Sequence, residues 1–155
     1  MKFRRMTPRD AALGAIALAA AAAAACAAAS FAKSPVRMSP AQKSVYDRYA
    51  AAAGTADASS AVFSAEKGQA FFQGRHKGGK PDSPSCTSCH TTDVKASGKS
   101  RAGKVIAPMA ASVNPKRFTD YADVEKWFAR NCPDVLGREC TLTEKGDVLA
   151  YLLSQ

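Results

Sequence analysis

The sequence predicts an all-α domain with its helices packed around one covalently attached group. Three observations carry that expectation. Cys86-x-x-Cys89-His90 has the spacing of a haem-attachment motif. Four stretches repeat apolar residues at helical intervals between Gly, Pro and Ser/Thr/Asn punctuation. Alternating strand patterns are almost absent.

The chain opens on an export signal. Lys2, Arg4, Arg5 and Arg9 precede an apolar run from Ala11 to Ala25, and Ser30-Phe31-Ala32 offers small residues for cleavage after Ala32. A retained membrane anchor is the alternative, but alanine is weakly apolar and the run is short for a bilayer span. Ala23-Ala24-Ala25-Cys26 lacks the large aliphatic residue of a lipobox, so Cys26 reads as a signal-peptide cysteine. Arg4-Arg5 hints at twin-arginine export. Haem c is attached to an unfolded chain after export, which argues against that route. Residues 33–155 are then one periplasmic domain.

Formal charge is +9 for the whole chain and +6 once Lys2, Arg4, Arg5, Arg9 and Asp10 are removed. Two haem propionates lower it to about +4. Such a balance suits docking to an acidic partner protein and equally suits a solubilising surface. No block of five or six like charges occurs, so nucleic acid is not implied.

Ser39-Pro40 is a cap and first-turn pair opening a helix to about Ala53, with Val45, Tyr46, Tyr49 and Ala53 on one face and Gly54 as its stop. A second helix spans Ala61 to Gln73, where Gly68 allows close approach of another backbone on the face of Phe72. Gly74 and Gly78-Gly79 end it. In the attachment motif that follows, each thiol can add to one vinyl group, and the His90 imidazole is left to bind iron as proximal ligand. A zinc ribbon needs a second pair, and Cys132 and Cys140 are not spaced as C-x-x-C. A thioredoxin-type pair needs βαβ surroundings, which are not visible.

Asp93 to Val113 reads as a long polar loop, of the kind that carries function. Asn114-Pro115 caps a turn, and Thr119 starts a helix through Tyr121, Val124, Trp127 and Phe128 that ends near Asn131, since Pro133 prevents its continuation. The last helix opens on a capping box, Thr141-x-x-Glu144, and buries Val148, Leu149, Leu152 and Tyr151. Of five cysteines, one lies in the leader and two serve haem, leaving Cys132 and Cys140. In an oxidising compartment these pair; the alternative is two free thiols.

Gly68-x-x-x-Phe72, the haem motif after it, and Leu149-Ala150-Tyr151-Leu152 on a terminal helix together resemble class I cytochromes c. Within that class the chain is similar to the sphaeroides haem protein (SHP) family, small oxygen-binding periplasmic cytochromes c. The matching residues run from Gly79 to His90, then Ile106-Ala107-Pro108, Arg117-Phe118-Thr119-Asp120, Val124-Glu125-Lys126-Trp127, Arg130-Asn131-Cys132 and Gly137-Arg138-Glu139-Cys140. The resemblance covers roughly Ser39 to Gln155.

It implies a class I cytochrome c fold, a single haem c, and Asn131 as a distal iron ligand that leaves on reduction. The open site would then take O2, NO or CO, with slow O2 or NO reduction in reach. A dihaem cytochrome c and a membrane cytochrome b are the implied electron donors, and a monomer or weak dimer the expected state. Read from the residues alone, Asn131 is more readily an ordinary helix C-cap, and only the resemblance favours the ligand role. Met109, downstream of the haem motif, is the alternative distal ligand and would make the protein an ordinary electron shuttle; it could also simply pack against haem. His76 sits among Arg75, Lys77 and Gly78 and reads as a surface histidine.

Overall fold

The computed structural model describes residues 37–56 and 63–155. The expected export segment, 1–32, lies outside the described residues. In chain order the described elements are α1 (Pro40–Ala56), α2 (Ala65–Gln73), α3 (Thr87–His90), β1 (Gly98–Lys99), β2 (Val105–Ile106), α4 (Tyr121–Leu136) and α5 (Leu142–Leu153).

Helix α1 starts on a reciprocal cap. The Gln42 side chain accepts the Ser39 N–H at 2.9 Å, and the Ser39 hydroxyl accepts the Gln42 N–H at 3.3 Å. Buried Gln42 also donates to the carbonyls of Pro115, at 3.3 Å, and Arg117, at 3.0 Å, fastening the helix start to a distant turn. Val45, Tyr49 and Ala53 form its buried stripe. Gly54 does not end the helix, which runs to Ala56. One glycine in a last turn costs only about 1 kcal/mol.

Helix α2 starts at Ala65 rather than Ala61, because the Ser64 hydroxyl caps it by accepting the Lys67 N–H at 3.2 Å. Phe63 is instead buried among the core residues of α1, α4 and α5. Gly74 closes the helix as expected. At Gly68 a Cβ would overlap the backbone carbonyl of Asp147, so α2 and α5 meet backbone to backbone. Asp147, itself buried, accepts the Ser64 N–H at 2.8 Å and ties the start of α2 to the same helix.

Helix α4 begins at Tyr121, two residues later than expected, because Asp120 supplies the cap by accepting the Asp123 N–H at 2.7 Å. Its end differs more. Pro133 lies inside the helix, which continues to Leu136 and closes on Gly137 in the left-handed conformation, φ 71°. A proline within a helix costs about 3 kcal/mol or more, through a lost hydrogen bond and a ring clash. Three features offset that cost here: burial of Val135 and Leu136, the Cys132–Cys140 disulfide, and a hydrogen bond from the Lys80 N–H to the Asp134 carbonyl at 2.7 Å. The expected pairing of the two cysteines is therefore observed.

Helix α5 carries the expected capping box at Thr141 and Glu144 and buries every residue from Gly146 to Leu153. One face completes a core with Val45, Tyr49, Ala53 and Val124; the other joins Phe72, Val94 and Ala110. In the first core the Tyr49 hydroxyl donates to Glu125, which also takes the Lys145 ammonium at 2.8 Å. Burial, then the bond to Glu125, pushes the Tyr49 hydroxyl far above its usual range.

The segment 93–113 is not simply a loop. It holds a short antiparallel hairpin pairing Gly98 with Ile106 and Lys99 with Val105. Two-residue strands leave too little alternation for sequence patterning to register.

Candidate haem centre

Serines and threonines shape the motif turn. The Ser85 hydroxyl bonds the Phe72 carbonyl at 3.2 Å and the Thr87 hydroxyl at 2.9 Å, and accepts the Thr87 N–H at 3.2 Å. The turn closes with His90 N–H to the Cys86 carbonyl at 3.1 Å. Cys86 and Cys89, three residues apart on this helical turn, share a side and are both free and half-buried. Thr91 follows at φ 62°, a strained conformation for a non-glycine residue, and turns the chain away immediately after the histidine.

His90 is held as a neutral imidazole. Burial, followed by the nearby Arg117 charge, lowers its pKa to about 4. Only a neutral imidazole can bind a metal. Among the described residues, its Nδ1 is the one buried side-chain nitrogen or oxygen with no hydrogen-bond partner. Its ring lies 6.0 Å from that of Phe72, in the apolar cluster of Val94, Ala110, Val148, Tyr151 and Leu152. Burial likewise raises the Cys86 thiol to about 11.

Two free thiols, a desolvated imidazole and an apolar surround fit a haem held through both sulfurs. A bare metal fits poorly, since no three His, Cys, Asp or Glu side chains gather as a metal cage among the described residues.

The remaining candidates are placed unevenly. Met109 is half-buried and packs against the Phe72 cluster. Asn131 is exposed within α4 and is not its C-cap, a role Gly137 takes. The next residue, Cys132, is buried in a third apolar cluster that also includes Cys86. His76 is not a freely solvated histidine. It is half-buried, its Nε2 lies 2.8 Å from the Phe71 carbonyl and its ring packs, tilted, 4.8 Å from that of Phe71.

Arg117 is a participant that residue patterns did not single out. Its guanidinium is half-buried, donates to the carbonyls of Ala107 at 2.7 Å and Pro108 at 3.1 Å, and feels the Asp123 carboxylate as a nearby opposite charge. It thereby fixes the segment leading into Met109. Its charge on His90 depends on tertiary placement, which no local motif encodes.

Known proteins similar to this chain are c-type cytochromes. Residues 58–152 match a family model described as a domain of unknown function, DUF1924. The cytochrome c-type protein SHP of Cereibacter sphaeroides is 54% identical over 103 residues, 66% of this chain and 80% of that protein. The chain belongs to the SHP family of c-type cytochromes. Its all-α class I cytochrome c fold and its haem c cofactor go with that membership. The solved structure of oxidised SHP, described as an oxygen-binding cytochrome c, superposes with a TM-score of 0.68 at 50% identity, over 76% of this chain and 98% of that one. The solution structure of cytochrome c'' from Methylophilus methylotrophus, described as giving insight into haem-ligand detachment, superposes with a TM-score of 0.63 at 35% identity, over 74% and 93%. Among the described residues no helix is long and apolar enough to cross a membrane.

Proposed function

We propose that this SHP-family cytochrome is a periplasmic protein that accepts single electrons and binds a small diatomic ligand at a site opened when Asn131 withdraws. Cys86 and Cys89 would hold the haem covalently through their two sulfurs. His90 is the proximal ligand. When bound, haem c would supply a redox-active iron able to take a further ligand.

The observation that carries the reading is Asn131's position on α4, immediately before a disulfide cysteine that packs in one cluster with Cys86. An amide oxygen is a neutral, hard and weak donor, retained better by ferric than by ferrous iron. The disulfide fixes the chain just beyond it, so the amide can leave and return without refolding the helix. Oxygen binding by SHP and ligand detachment in cytochrome c'' support the same behaviour here. The inferred donors are a dihaem cytochrome c and a membrane cytochrome b, with slow O2 or NO reduction as a further capacity. The protein is inferred to act as a monomer or weak dimer.

A second reading has an observation of its own. Met109 packs in the Phe72 cluster while Asn131 is exposed, and His90/Met109 ligation would make a closed electron shuttle. Two variants separate the readings. Asn131→Ala should alter the ferric spectrum and leave ferrous CO binding intact, while Met109→Leu changes little. Loss of a low-spin spectrum in Met109→Leu, with Asn131→Ala silent, would make the protein a shuttle.

A further inference from the structure

The hairpin β1–β2 has two unlike faces. Inward, Gly98 is buried so closely against the attachment turn that a Cβ would overlap the Cys89 carbonyl and crowd the His90 Cα. Its cross-strand partner Ile106 is half-buried on the same side. Outward, Lys99 and its cross-strand partner Val105 are exposed, Val105 at 66%. Lys95 and Lys104 flank them, also exposed. None of these three lysines has an ion pair among the described residues. Arg101 at the tip is turned to other work, bonding Asp82 at 3.2 Å and Asp134 at 3.0 Å, and so braces the hairpin against the chain before the haem motif and against α4. Asp93, the one carboxylate of the segment, is engaged through Oδ1 with the Lys95 N–H at 3.0 Å.

The geometry points to the outer face of this hairpin, Lys95, Lys99 and Lys104 around Val105, as the docking surface for an acidic redox-partner protein. The inference rests on the electron-accepting part of the proposed function. Unpaired lysines supply long-range attraction to an acidic surface, and exposed Val105 gives a dry centre to the contact. Seated there, a partner is separated from the backbone of Cys89 and His90 by one thickness of hairpin. Electrons then enter through the attachment turn, away from the ligand Asn131 releases, so docking and gas binding do not compete for one face. The step is a one-electron transfer from the reduced partner to ferric iron, with no bond made or broken in the hairpin.

The test uses the holoprotein and a reduced flavodoxin as the probe, an acidic one-electron donor, with haem reduction followed by stopped flow. Lys95→Glu, Lys99→Glu and Lys104→Glu combined should slow reduction at least about tenfold at low ionic strength, a difference that shrinks at high salt. A control of equal charge, Lys43→Glu, Lys67→Glu and Lys116→Glu, should have a much smaller effect. Reduction by dithionite and CO binding should be unchanged in both, which separates this inference from the gas-binding proposal. Equal slowing by both triple variants, or none from the hairpin variant, would overturn the docking surface. So would failure of flavodoxin to reduce a wild-type protein that dithionite reduces. Should the hairpin variant fold poorly, Lys→Gln at the same three positions must still slow the reaction, by a smaller factor.

Discussion

An imidazole can bind iron only when neutral, and His90 is kept neutral by burial and by the Arg117 charge, not by a hydrogen bond to Nδ1. Arg117 acts from the turn that Gln42 fastens to α1, so a capping residue near one end of the domain bears on the ligand at its centre. Two residue-scale outcomes follow from contacts of this kind. Gly68→Ala places a methyl into the Asp147 carbonyl and should destabilise the fold by about 3 kcal/mol in denaturant titration, because the packed helix pair cannot part locally. Tyr49→Phe leaves Glu125 and Lys145 paired but removes a buried hydrogen bond to a charged group, and should cost about 1.5 to 3 kcal/mol by the same measurement. Of these positions, Gly68 was legible in sequence because glycine and Phe72 share a helical face. Tyr49 was legible only as a core residue, since its partner Glu125 comes from a different helix.

At the scale of elements, sequence reading succeeded where the signal is local. The Thr141/Glu144 capping box, the stripe on α1 and the turn at Gly74 need only neighbouring residues. It failed at Pro133, where local chemistry says stop. Burial of Val135 and Leu136, the disulfide and the Lys80 contact outweigh it, and all of these are set by tertiary structure. It failed also at the hairpin, too short to show a period. Asn131, expected at the helix end, consequently lies well inside α4. Replacing Cys132 and Cys140 with Ser should remove about 2 to 3 kcal/mol of stability in the chain-entropy view and disturb ferric ligation more than the fold, readable as an altered ferric spectrum on a still helical protein. Thr141→Ala should cost about 1 kcal/mol and leave both spectra unchanged.

For the whole molecule, acid stability follows from two glutamates. Burial pulls Glu125 upward, but its bonds to Lys145 and Tyr49 win and hold it below 4.5; Glu144 is held below 4.5 first by Arg138. A depressed carboxylate pKa stabilises the fold fully above the unfolded value, and that stability is lost as pH falls through the folded value. Thermal stability should therefore fall as pH drops below the ordinary glutamate range, and Glu125→Gln should flatten that dependence. Export, inferred from 1–32, predicts a periplasmic protein lacking residues before about Lys33, checked by intact mass of fractionated cells. Opening of the iron on reduction is the proposed event, and absorption spectra of the wild-type protein report it. Oxidised, dithionite-reduced and CO-treated spectra should show ferric haem without the near-infrared band of methionine ligation, a high-spin five-coordinate ferrous haem, and rapid conversion by CO. A methionine band in the oxidised protein, with a low-spin ferrous spectrum that CO leaves unchanged, would contradict it.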